Sequence, residues 1–124
     1  MSPGGKLQVS AAELDVLRVL WEEGPATLRE VHQQVADRHA YTTVQTMLNR
    51  LVEKGLVRRD RRSRPARYRA KVAQDRVIQH YLSLMLNKVC NSPAPLVLRL
   101  LRNETFTAEE LAEIKRLVEE TGPP

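Results

Sequence analysis

The chain has 124 residues, 42% apolar, 28% charged and 4% aromatic, with a net charge of +5, a balance that suits one globular domain with an appendage rather than two independent cores. No run approaches the roughly 18 to 20 apolar residues of a membrane span, and residues 1–9 lack the apolar stretch of a signal peptide, so a cytoplasmic protein without membrane insertion is expected. Cys90 is the single cysteine and His32, His39 and His80 are the three histidines, which excludes a disulfide framework, a Cys-rich zinc site and a CxxC redox pair.

Helix signals come three times in the first 55 residues. Ser10 and Glu13 form a capping box ahead of Leu14, Leu17, Leu20 and Trp21 at helical spacing, and Gly24-Pro25 stops that helix. A second box, Thr27 with Glu30, opens a short helix that turns Leu28, Val31 and Val35 to one side and fades before His39 and Ala40. Thr42 or Thr43 is the expected N-cap of a third helix with Val44, Leu48, Leu51 and Val52 inward and Gly55 just past its end. From Leu56 the period changes to that of a β-hairpin, with a turn at Ser63-Arg64-Pro65-Ala66 and a return strand from Tyr68 to Val72.

The charge is concentrated in this hairpin. Residues 56–72 hold seven arginines and Lys71 against Asp60, a net of +7 that leaves −2 for the rest of the chain, whereas residues 103–120 sum to −4. The order of elements predicts a mainly α protein: a winged helix-turn-helix over residues 1–72, three helices plus a β-hairpin wing, followed by a helical dimerisation region over 73–124. In that second region Val77, Ile78, Tyr81, Leu82 and Met85 belong to an apolar band too broad for a helix lying on a small domain. Leu96 to Leu101 gives another short helix, and Thr107 with Glu110 caps a last one carrying Leu111, Ile114, Leu117 and Val118. About 50 residues of short helices bury such a surface poorly on their own, and a two-fold partner is the ordinary solution. Disorder is expected for residues 1–6 and 121–124.

With its apolar residues inward, the third helix offers Thr42, Thr43, Gln45, Thr46, Asn49 and Arg50 outward. Threonine methyls can touch the methyl of thymine, Gln and Asn can pair with adenine, and Arg can bridge guanine or a phosphate; the same residues also suit a merely solvated face. The adjacent basic hairpin shifts the balance toward duplex DNA, with Arg61, Arg62 and Arg64 at its tip expected on phosphates and Tyr68 packed inward. Five scattered aromatics build no stacking platform for single strands. The histidines have no carboxylate or cysteine at ligand spacing, Cys90 reads as a half-buried structural thiol, and no phosphate loop or nucleophile elbow is present, so neither enzyme, metal nor cofactor is expected. Two other readings compete: a nonspecific or architectural DNA binder, and an interaction module whose hairpin docks on an acidic protein or anionic membrane.

The stretch Tyr41-Thr-Thr-Val-Gln-Thr-Met-Leu-Asn-Arg-Leu-Val-Glu-Lys-Gly-Leu56, with the Leu14, Leu17, Leu20, Trp21 pattern before it, resembles the penicillinase-repressor (BlaI/MecI-type) transcriptional regulators, and the resemblance runs from about Leu7 to Glu120. It implies a homodimeric winged-helix repressor on an inverted-repeat operator, related to regulators of β-lactamase and antibiotic-resistance genes, with Thr42 to Arg50 on the recognition helix and Arg62 and Arg64 on the wing. It also implies a membrane sensor protease as a pathway partner. Where β-lactam-responsive relatives carry an Asn-Phe cleavage site, this chain reads Arg99-Leu100, and with Cys90 alone it lacks the paired cysteines of copper-responsive relatives.

Overall fold

The computed structural model describes residues 7–122 and divides into two compact units, one ending at Leu82 and one starting at Ser83. The disorder expected of residues 1–6 and 123–124 lies outside the described residues.

In the first unit, helix α1 (Ala11–Glu23) begins at the expected capping box: Glu13 N–H donates to Ser10 Oγ at 3.1 Å and Ser10 N–H to Glu13 Oε1 at 2.9 Å. Its buried face is Val16, Leu17, Val19 and Leu20, whereas Leu14 and Trp21 are half-buried. The Trp21 indole N–H reaches the Val72 carbonyl at 2.9 Å, tying α1 to the segment after the hairpin. A two-residue strand, β1 (Ala26–Thr27), precedes α2 (Leu28–Val35), whose capping box is the expected Thr27 and Glu30.

Helix α3 (Tyr41–Glu53) starts earlier than expected, with Ala40 as N-cap and no capping side chain, so Thr42 and Thr43 lie within its first turn. The turn ahead of the helix is tied to the rest of the unit instead. The His39 ring bonds the Asp15 carboxylate at 2.8 Å, the His32 ring bonds the His39 carbonyl at 3.1 Å, and together they hold the turn from which α3 starts. Its end follows the rule for a left-handed closure: Gly55 has φ +78°, its N–H bonds the Val52 carbonyl, and the Leu56 N–H bonds Leu51.

Strands β2 (Val57–Asp60) and β3 (Arg67–Ala70) form the hairpin, and β1 adds to the far side of β3, giving the antiparallel order β1-β3-β2. In this register Arg58 faces Arg69 and Arg59 faces Tyr68. The helices and the sheet close over a core that includes Leu17, Val31, Val35, Val44, Leu48, Leu51 and Val57, and Tyr68 is buried with them. Helix α4 (Gln74–Lys88) contributes Val77 to this core and half-buried Tyr81, whose hydroxyl donates to the Val9 carbonyl at 3.3 Å.

The second unit holds the end of α4, then α5 (Ala94–Asn103) and α6 (Ala108–Thr121). The Thr107 and Glu110 capping box opens α6, and Arg116 pairs with Glu113 and Glu120 along its surface. Thr121 completes this helix and Gly122 caps it, so the disorder expected to begin at Thr121 starts no earlier than the end of the described chain. None of residues 83–122 is buried: Leu98, Leu100, Leu111 and Leu117 are each about half exposed.

Candidate nucleic-acid interface

Helix α3 is held from below and from both ends. Val44, Met47, Leu48 and Leu51 bury its underside, Met47 in place of the expected Val52, which is only half-buried. At its C-terminal end Lys54 donates to Glu13 Oε1 at 2.7 Å and to the Gln8 carbonyl at 2.9 Å, so one ammonium joins α3 to the start of α1. Burial, the largest single influence on the Glu13 carboxyl, pushes its pKa up, but the hydrogen bonds from Lys54 and the Ser10 backbone and the charge of Lys54 outweigh it and hold Glu13 below the ordinary carboxylate value. At the N-terminal end Asp15 takes both the His39 ring and the Arg38 guanidinium, the latter at 3.2 Å. His39 thus has a carboxylate partner, which sits 24 positions away in sequence, where no local spacing rule can find it.

Thus anchored, α3 leaves all six expected side chains exposed: Thr42, Thr43, Gln45, Thr46, Asn49 and Arg50. Thr46 spends its hydroxyl proton on the Thr42 carbonyl at 3.1 Å, which leaves the γ-methyl as its apolar contact group. Asn49 is engaged differently, by the hairpin: Arg59 Nη2 donates to Asn49 Oδ1 at 2.8 Å while the guanidinium carbon lies 5.6 Å from the centre of the Tyr68 ring.

The two-residue period of β2 and β3 sorts the arginines, which the charge count alone treated as equivalent. Arg59 and Tyr68 share the side that meets α3; Arg58, Arg67 and Arg69 share the other and, with Asp60, help line a cleft of about 190 Å³. At the tip Arg61, Arg62 and Arg64 are exposed as expected. Arg62 bonds Asp60 through its backbone N–H at 3.0 Å and its guanidinium at 3.3 Å, and the backbone bond, the guanidinium bond and the charges of Arg62 and Arg58 hold the Asp60 carboxyl below its ordinary value. Arg61 and Arg64 have no acidic partner among the described residues, so their charge is available to a polyanion. Arg67 approaches Glu30 at 3.5 Å; the backbone N–H of Thr27 lowers the Glu30 carboxyl most, desolvation opposes it, and the Arg67 charge and the Thr27 hydroxyl add to the lowering, which prevails.

The expected dimerisation residues separate into two groups. Val77 lies in the core of the first unit and Tyr81 packs against it, so their apolar surface is largely consumed within the chain. Ile78, Leu82, Leu111 and Leu117 are exposed, and Met85 and Ile114 are partly exposed. No helix among the described residues is long and apolar enough to cross a membrane, and no group of three His, Cys, Asp or Glu among them could hold a metal ion.

Three helices, a three-stranded sheet and an arginine-rich hairpin beside an outward polar helix define a winged-helix DNA-binding regulator. Residues 9–120 match the family described as penicillinase repressor, and the chain belongs to that family. It is similar to a penicillinase repressor of Bacillus licheniformis, 29% identical over 116 residues that cover 91% of each chain. Over 114 residues it is 21% identical to the methicillin resistance regulatory protein MecI of Mammaliicoccus sciuri, covering 90% of this chain and 93% of that one. Among solved structures, a MarR family protein from Bacillus stearothermophilus matches with a TM-score of 0.53 at 22% identity, covering 93% of this chain and 74% of that one, a likeness of fold. The chain is a DNA-binding transcriptional repressor.

Proposed function

We propose that this repressor acts in the cytoplasm as a homodimer on an inverted-repeat operator, residues 1–72 binding DNA and residues 73–124 joining the subunits. In this reading Thr42, Thr43, Gln45, Thr46, Asn49 and Arg50 face the major groove, and Arg61, Arg62 and Arg64 contact the backbone. Ile78, Leu82, Met85, Leu111, Ile114 and Leu117 meet the second subunit, with Val77 and Tyr81 supporting them from within the winged unit. The observation that carries the reading is the anchored α3, whose six outward side chains are all exposed beside a wing tip with two unpaired arginines. The dimer is supported by a second unit in which every apolar side chain keeps exposed surface. Two reading heads about 34 Å apart would then engage successive turns of one DNA face. The similarity to a penicillinase repressor and a methicillin resistance regulatory protein supports antibiotic-resistance genes as the targets, and a membrane sensor protease is part of this proposal as the upstream partner. The Arg99-Leu100 bond lies inside α5, so a protease acting there would have to unwind a helix first.

The test is a titration of the full chain against a duplex carrying an inverted repeat from its own promoter region, a scrambled duplex and a single half-site, at two salt concentrations. Dimeric binding selective for the full repeat is expected. Equal, salt-sensitive binding to all three would replace operator recognition by nonspecific DNA binding.

A further inference from the structure

Asn49 was expected to be able to pair with adenine, a contact that uses both ends of a carboxamide: the oxygen accepts from the N6 amino group while the nitrogen donates to N7. A guanidinium carries donors only, so the 2.8 Å bond from Arg59 fixes which way the Asn49 amide points: Oδ1 toward the wing and Nδ2 away from it. Arg59 is itself held in place. Its guanidinium lies over Tyr68, the residue directly opposite in the strand register, and its Nε is buried without a partner. Gln45 and Arg50, also outward on α3, carry no such tether among the described residues.

We infer that Asn49 reads DNA through its Nδ2 donor, with Arg59 as the positioning residue that turns its oxygen toward the wing; this rests on the proposal that the outer face of α3 lies in the major groove. The edges that fit a donor best carry acceptors without a competing amino group: guanine with N7 and O6, or thymine with O4, whereas adenine sets its N6 amino donor beside its one acceptor, N7. Cytosine presents an amino donor and has nothing for Nδ2 to meet, and adenine loses half of its usual pair with Asn.

The experiment is selection of the full chain on a library of randomised DNA duplexes, followed by sequencing of the bound fraction for wild type, Asn49→Ala, Arg59→Ala and Arg59→Lys, with thermal unfolding of each variant to establish that it is folded. The base pair whose preference disappears in Asn49→Ala is the one that Asn49 reads. Wild type should select guanine or thymine there. Arg59→Ala frees Oδ1 and should move that one position toward adenine by roughly tenfold, within the range of a bidentate contact, while Arg59→Lys, which keeps a donor, should retain the keto preference. Adenine selected by wild type at that position, an Arg59→Ala profile that keeps its keto preference while all sequences weaken alike, or no position that responds to Asn49→Ala would each overturn the inference. A wild-type profile flat at every position would overturn base reading by α3 altogether, which separates failure of the larger proposal from failure of this one.

Discussion

Residues 7–82 and residues 83–122 are both helical and both rich in leucine and valine, yet they spend those side chains in opposite ways. In the first unit Leu17, Val31, Val35, Val44, Leu48 and Leu51 have essentially no exposure, and Glu13 and Asp15 at its edge are paired with Lys54 and His39. In the second no side chain is buried, although α6 carries a capping box like those of α1 and α2 and surface ion pairs of its own. Local helix signals therefore say where a helix forms, while burial says whether the chain itself supplies the reason for its amphipathic pattern. The first unit answers that question internally. The second has apolar faces that its own residues leave uncovered, the surface that the proposed dimer would bury.

The comparison breaks most sharply at a core position. Leu48→Ala removes a fully buried side chain from α3 and should cost about 3 kcal/mol of stability, read as a lower midpoint in urea unfolding. Loss of less than about 1 kcal/mol would mean that α3 is not held by the core beneath it. At the last residue of the first unit, Leu82→Asp places a charge on an exposed position and should leave the winged unit folded while producing monomers by sedimentation and weakening binding to a full inverted repeat by roughly a hundredfold, the scale on which a second linked head acts. An unchanged dimer mass would remove Leu82 from the subunit contact.

Smaller effects sharpen the division within the first unit. Glu13→Gln keeps an acceptor for the capping box but removes the charge that Lys54 meets, at a cost of about 1 kcal/mol near pH 7, since Lys54 is partly open to solvent. Because Glu13 is held below its ordinary pKa, this contribution is present above about pH 4 and is lost as pH falls through the lowered value. Stability measured from pH 7 downward should thus drop more steeply for wild type than for Glu13→Gln, and parallel curves would show that the charge is not what Lys54 recognises. The smallest change is expected from Arg64→Ala, which should leave sequence preference untouched while lowering the slope of log affinity against log salt by about one unit. A change in base preference would move Arg64 from backbone contact to base reading.

Much of this was legible in the sequence because the signals are local. The three capping boxes, the glycine after α3, and the change of period at Leu56 each act within a few residues, and each element formed where they indicated. What escaped is non-local. Strand β1 has two residues and exists because β3 lies beside it. Helix α3 starts after Ala40 with no threonine cap, and the turn before it is tied through His39 to Asp15. Val77 shares the spacing of the apolar band in α4 but faces the core of the winged unit. Arg59 stood among seven arginines with nothing in composition to separate it, and the register opposite Tyr68 is what distinguishes it.

Since α3 is clamped by Lys54 at one end and by the histidine turn at the other, and packed beneath through Val44 and Leu48, its exposed residues carry almost no folding duty. Substitutions at Thr42, Thr43, Gln45 or Arg50 are nearly free for the fold. If that face reads DNA as proposed, gene duplicates of such a repressor can drift to new operators one letter at a time without passing through an unfolded ancestor. Asn49 is the exception, because a change there also releases Arg59 and alters the wing.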